Sequence, residues 1–189
     1  MIAKIPNVYQ FKITLLYTKP LIWRCIQVPE EYSFEDLHIA IQDAMGWENC
    51  HLHQFEMLNP KTGQKDLIGM SDDKDFCESI PEDKAKIAKY FLSPKDKAIY
   101  EYDFGDGWEH EIILEKILPA VAGSQYPQCL EGERACPPED CGGAGGYEYL
   151  LEIIANPNHE EYEERMECLR DGFNPKEFDP QSVEFSDNK

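Results

Sequence analysis

A chain of 189 residues with 37 acidic against 18 basic side chains, formally −19, is long enough for one domain with a real core and too short for two ordinary ones. Its mean surface potential repels phosphate backbones and anionic lipid, which disfavours nucleic acid as a direct partner, and no apolar run approaches the ~20 residues that cross a bilayer. Met1-Ile-Ala-Lys-Ile-Pro lacks the basic and apolar regions of a secretory signal, and seven cysteines, an odd count, argue against a disulfide framework, so the chain reads as cytoplasmic.

In chain order, residues 9–17 alternate, with Tyr9, Phe11, Ile13 and Leu15 on one side, the period of a half-buried strand. Lys19-Pro20 turns the chain, and the β-branched and aromatic run from Ile22 to Val28 pairs back to complete a hairpin. Ser33 caps a helix, with Asp36 at the capping-box position and Phe34, Leu37, Ile41, Ala44 and Met45 on one face; Gly46 ends it. The run from His51 to Met57 alternates as a third strand carrying His51, His53, Phe55 and Met57 on one face. Residues 59–79 are polar and glycine-containing, a turn and connecting loop. A short helix from Ser79 or Pro81 to Leu92, with Ser79 and Glu82 as its capping box, follows.

The segment from Ala98 to Ile117 is the clearest hairpin. A two-residue Asp106-Gly107 turn would set aromatics beside carboxylates on one face, whereas a three-residue turn pairs Phe104 with Trp108, Tyr102 with His110 and Tyr100 with Ile112 and gives one apolar face. The three-residue turn is therefore expected, with Gly107 left-handed and His110 pointing to the core. From Leu118 to Gly146 the chain is irregular and rich in proline and glycine, and a loop of that length in a domain is functional or pinned by something. Two helices close the chain, from Tyr147 to Ala155 and from Asn158 to Arg170. The C-terminal third is the most acidic part: residues 129–189 hold sixteen acidic against five basic side chains. The fold expected is α+β: a mixed or antiparallel sheet built from two hairpins plus one strand, packed with about four helices, over one domain spanning residues 1–178 with a frayed tail at 179–189.

Three sets of residues could carry chemistry. Cys129, Cys136 and Cys141 lie in the irregular segment, with Pro137 and Pro138 stiffening the loop; they are either unliganded, partly buried thiols or zinc ligands completed by His51, His53, His110 or His159. His51, His53 and His110 could together hold a catalytic metal with an open position, against the alternative of hydrogen-bonded core histidines. Asp103, Asp106, Trp108, Arg134, Glu139 and Asp140 offer a recognition surface on the hairpin and the Cys136–Cys141 loop. No hydrolase elbow, phosphate-cradling loop or dinucleotide fingerprint is present.

Several stretches together, Ile22-Trp-Arg24, Met45-Gly-Trp47, His51-Leu-His53, the run from Tyr100 to His110, Tyr126-Pro127, Cys129, the run from Arg134 to Gly143, Gly146-Tyr147 and Phe173 to Phe178, resemble the plasmid Ri open-reading-frame-three-like family, often labelled TnpR-like passenger proteins of insertion elements. The resemblance covers residues 9–178. It implies a single α+β domain without an established activity, found in prokaryotic and mobile-element contexts. A resolvase would need a nucleophilic serine in an arginine-rich site and a basic DNA-binding helix; four arginines and an acidic surface give neither. Two functions follow: a non-enzymatic interaction or accessory module with a protein partner, or a metal-dependent enzyme such as a hydrolase, using the histidines or the cysteine cluster with zinc as cofactor.

Overall fold

The structure, a computed structural model, describes residues 5–69, 79–169 and 172–186. Its centre is one eight-stranded sheet: β1 (Asn7–Leu15), β2 (Ile22–Pro29), β3 (His53–Leu58), β4 (Lys65–Gly69), β5 (Ile80–Pro81), β6 (Lys97–Tyr102), β7 (Trp108–Pro119) and β8 (Gln128–Glu133). The spatial order is β5-β4-β3-β6-β7-β1-β2-β8, antiparallel throughout except for the short β4–β5 pair. The protein is α+β but sheet-dominated, which corrects the expectation of two hairpins plus one strand packed with about four helices. Among the described residues there are three α-helices, α1 (Phe34–Met45), α2 (Gly143–Ala155) and α3 (Tyr162–Cys168).

One face of the sheet is continuous and apolar. Phe11 pairs with Ile26 and Leu114, Ile13 with Ile112, Phe55 with Tyr100, and Tyr102 with Trp108, and all of these side chains are buried. The alternate residues carry Lys12, Glu109, Glu111 and Lys97 on the opposite face, as a one-sided antiparallel sheet requires. α1 lies on the apolar face and buries Phe34, Leu37, Ile41, Ala44 and Met45. Each of its large apolar side chains is worth about 2 kcal/mol in area removed from water. Its start is fixed by the anticipated capping box: the Asp36 amide donates to the Ser33 hydroxyl (3.1 Å) and the Ser33 amide to the Asp36 carboxylate (2.7 Å).

The structure departs from the sequence reading where neighbouring backbone claims a segment's hydrogen bonds. The expected helix from residue 79 or 81 to 92 is absent; Ile80–Pro81 is a strand, and Ile87–Lys89 a single 3-10 turn. The Ala85 carbonyl accepts from Phe34 N–H (3.0 Å) and Ile87 N–H donates to the Tyr32 carbonyl (3.0 Å), so residues 85–87 are bridged to the entry of α1 between two short turns. Lys65–Gly69, read as loop, pairs with β3, and Gln128–Glu133, read as irregular, adds an edge strand to β2. The last hairpin pairs Tyr102 with Trp108 and Tyr100 with His110 around a five-residue loop, not three. A shift of two keeps every side chain on its anticipated face, with Gly107 left-handed at φ 65. The loop is longer because Asp103 starts it: its carboxylate accepts from Gly105 N–H (2.9 Å) and its carbonyl from Gly107 N–H (2.6 Å). Phe104, freed from the ladder, is exposed.

Residues 173–186 run back over the molecule. Phe178 lies on the Arg24 guanidinium, 3.6 Å from carbon to ring centre, and the Ser186 amide donates to Asp43 (2.8 Å). No helix among the described residues is long and apolar enough to cross a membrane.

Candidate metal centre

Pairing of β3 with β6 sets His53 opposite Tyr102, so the residues just before β3 meet the residues just after β6. Asp103 N–H donates to the Leu52 carbonyl (2.9 Å) and locks that meeting. His51 stands in the loop before β3, not on the strand, its ring edge-on to Tyr102 at 5.7 Å. Around its Nε2 lie three carboxylates: Asp140 Oδ1 at 3.3 Å, Asp103 Oδ2 at 3.7 Å and Glu139 Oε2 at 3.8 Å. Two sets of donors within mutual ligand reach share this imidazole, His51 with Asp103 and Asp140, and His51 with Cys50 and Glu139.

The parts are held from below. Asn49, at φ 52, gives its amide to Gln42 Oε1 (3.0 Å) and its side-chain oxygen faces His38 Nε2 (2.8 Å), tying the Cys50–His51 loop to α1. The Tyr102 hydroxyl accepts from Cys50 N–H (3.1 Å) and donates to Glu139 Oε1 (3.0 Å), while Glu48 N–H donates to the same Glu139 oxygen (2.9 Å). Burial, with Glu139 beside it, holds the Tyr102 phenol well above its ordinary range, so it stays a proton donor. Glu139 is thus oriented through one oxygen, and among the described residues its Oε2 is buried without a hydrogen bond, as is His51 Nε2. Asp103 and Asp140 both take left-handed backbone at φ 54, a conformation short polar residues tolerate best. Asp140 is open to solvent, its side chain 77% exposed.

The other candidate residues fall elsewhere. His53 stacks on His38, ring centres 3.4 Å apart, and its Nε2 meets Glu82 at 2.6 Å. His110 is fully buried, its Nδ1 3.2 Å from the Tyr100 carbonyl; burial drives its pKa down to about 4. Neither ring belongs to a ligand set with His51. Cys129 lies on edge strand β8, and Cys136 and Cys141 bracket the loop that carries Glu139 and Asp140; all three are free thiols and share no ligand set among the described residues. Burial raises Cys129 to about 11 and Cys141 to about 12, and pushes Cys136 higher still. Asp106 accepts from Gly142 N–H (3.0 Å), fastening the hairpin loop to the start of α2. Trp108 is core, and Arg134, at φ 70, has a buried Nε without a partner among the described residues. Sequence reasoning passed over Cys50 and Tyr102; the only signal for either was adjacency to a residue already singled out.

Comparison with known proteins gives a consistent picture. The model of the family described as "Plasmid pRiA4b ORF-3-like protein" matches residues 7–182. The chain is 37% identical over 168 residues to the uncharacterized protein y4hQ of Sinorhizobium fredii, covering 86% of this chain and 81% of that protein. The crystal structure of MM3350 from Methanosarcina mazei Go1, a protein of unknown function, is 48% identical and superposes with a TM-score of 0.89 over 96% of this chain and 100% of that one. Neither relative carries a TnpR-like name, so the label attached to the family resemblance gains no support.

Proposed function

The chain belongs to the plasmid pRiA4b ORF-3-like family, and we propose that it is a metal-dependent protein whose centre is His51 with Asp103 and Asp140, beside Glu139, holding a divalent cation such as zinc. One observation carries this reading: a buried imidazole nitrogen without a hydrogen bond among the described residues, ringed by carboxylate oxygens at 3.3, 3.7 and 3.8 Å. With metal–donor bonds of ~2.1 Å, the edge of a tetrahedron is ~3.4 Å. For His51, Asp103 and Asp140, whose ligand atoms all lie within 4.8 Å of one another, the spacing therefore fits donors around a common cation better than direct hydrogen bonds, which would be shorter. A cation also supplies what the cluster lacks, positive charge for three carboxylates and a partner for Glu139 Oε2, whose burial unpaired is costly.

The donor set, one nitrogen and several carboxylate oxygens, suits zinc and also manganese or iron. Asp140 faces solvent, which leaves room for water or substrate at the ion, the property that separates catalytic from closed structural sites. A cation there would act as a Lewis acid and lower the pKa of a bound water, the basis of hydrolytic chemistry. Tyr102 fixes Glu139, and the His38–Asn49 contact fixes the His51 loop, so the residues around the donors hold their orientation.

The test is metal content and affinity. Protein purified without a polyhistidine tag, stripped and titrated with Zn²⁺, should bind one ion per chain. His51→Gln and Asp103→Asn should each weaken binding by about 100-fold, and Cys136→Ser should leave it unchanged. Binding that survives in His51→Gln but vanishes in Cys136→Ser would move the ion to the thiols and defeat this assignment; no stoichiometric binding of Zn²⁺, Mn²⁺ or Co²⁺ would end it. A thiolate charge-transfer band in the Co²⁺ form would add Cys50 to the ligand set.

A further inference from the structure

Arg24 lies on β2 opposite Ile13, on the apolar face of the sheet, and is 1% exposed. A guanidinium has five N–H groups to satisfy. Nε donates to the Ala44 carbonyl (2.8 Å), and Nη1 donates to the carbonyls of Trp23 (2.8 Å) and Glu133 (3.2 Å). The two N–H groups of Nη2 have no acceptor among the described residues. Among the described residues no carboxylate forms an ion pair with Arg24. In a chain with 37 acidic residues, a buried cation left without a carboxylate is an unusual expense, since desolvating it costs several kcal/mol that only a counter-charge recovers well.

Arg24 lines an open groove of about 1030 Å³, walled by apolar and aromatic side chains, Met45, Trp47, Pro137, Phe173 and Phe178. That volume is at the upper end of pockets that take organic ligands, enough for a few peptide residues. The rim is acidic: Asp43, Glu177, Asp179 and Glu184 line it, with Lys176 as the one rim cation among the described residues. A bare anion reaching Arg24 would have to pass that rim against repulsion, and a purely basic ligand would leave Nη2 unpaired.

We propose that this groove receives the C-terminus of a partner protein, its free carboxylate paired with Nη2 of Arg24, its last apolar side chain against Phe173 and Phe178, and preceding lysine or arginine residues against the acidic rim. The geometry serves each part by a separate interaction: a charge-assisted hydrogen-bonded pair at the floor, apolar contact along the wall, and charge complementarity at the mouth. The site is distinct from the metal centre in its residues, apart from Glu139, which lines the groove and places Oε2 3.8 Å from His51 Nε2. The His51→Gln variant should therefore keep its peptide affinity, so loss of the metal assignment leaves this one standing.

The probe is a pair of N-acetylated Lys-Lys-Gly-Leu peptides, one ending in a free carboxylate and the other in an amide, titrated against the full chain by calorimetry. The acid should bind at least about 10-fold more tightly than the amide, and Glu177→Gln with Asp179→Asn should weaken both. Arg24→Lys should abolish the preference for the acid. Because that buried substitution can unfold the chain, the Arg24 Nε–H resonance of the native protein gives a second readout: the acid shifts it and the amide does not. Equal affinity for acid and amide, or no binding by either at millimolar peptide, overturns the proposal. So does inorganic phosphate producing the same shift as the peptide, which would make the site a free-anion pocket.

Discussion

His110 illustrates how a single residue of this core links structure to solution behaviour. Its ring sits between Trp47 and Tyr100, centroids 5.2 and 5.3 Å away, with Nε2 lacking a partner among the described residues. Burial without a counter-charge disfavours the imidazolium and lowers the pKa to about 4. The ordinary value is ~6.5, so below that pH the unfolded chain takes up a proton that the folded chain refuses until about pH 4. Unfolding then binds protons, and stability is full above pH 6.5 and falls as the pH drops toward 4. His38, driven down to about 3 by burial and by its stack on His53, adds to the same loss. Replacing His110 with phenylalanine removes one of these proton uptakes. Urea unfolding of His110→Phe and the native chain at pH 7 and pH 5 should show the difference in unfolding free energy shift by about 2 kcal/mol in favour of the variant. Parallel pH profiles would mean that His110 does not titrate as its burial requires.

At the scale of elements, the loop carrying Glu139 and Asp140 is bound to α2 by close backbone packing, and two neighbouring glycines separate packing from propensity. A Cβ on Gly146 would run into the Cys141 carbonyl, whereas one on Gly145 meets nothing within 4 Å. Gly145→Ala should stabilise the chain by about 0.5–1 kcal/mol, the helix-propensity gain. Gly146→Ala should destabilise it by about 1–3 kcal/mol and weaken metal binding, because the Cys141 carbonyl can retreat only by moving the loop. Thermal unfolding with metal titration of both variants checks this, and equal effects of the two would refute the close packing. The same elements mark what the sequence made legible. The first hairpin, the capped helix α1 and the faces of β6 and β7 follow from local periodicity and capping chemistry. β4 and β8 were missed because a short strand and an exposed edge strand lack apolar alternation; both exist through their partners. The span of residues 81–92 has helix-forming composition, yet pairing with residues 32–34 outcompetes it. At the site, His51, Asp103, Glu139 and Asp140 were each visible as polar residues in aromatic or proline-rich settings. Their convergence was not, because it depends on β3 pairing with β6 across a sequence separation of 49, His53 to Tyr102.

For the whole molecule, a formal charge of −19 means that folding concentrates like charges, and any salt relieves part of that repulsion. A site that binds a cation specifically does more than screen. By mass action an ion that binds only the folded chain stabilises it by about 4 kcal/mol when present at 1,000 times its Kd. For a chain of this length each kcal/mol is worth roughly 2–4 °C, so the melting temperature should rise by roughly 10 °C. The comparison must hold ionic strength constant with NaCl, so that the general effect of charge screening is already expressed. Under those conditions Zn²⁺ should raise the melting temperature of the native chain and leave Asp103→Asn nearly unmoved. Asp103→Asn is the informative partner because it removes one charge in 19 and so barely alters the overall repulsion, while taking one donor from the cluster. If both proteins gain equally from Zn²⁺, the ion is acting on the acidic surface at large, and the cluster around His51 is an arrangement of surface carboxylates with no special affinity.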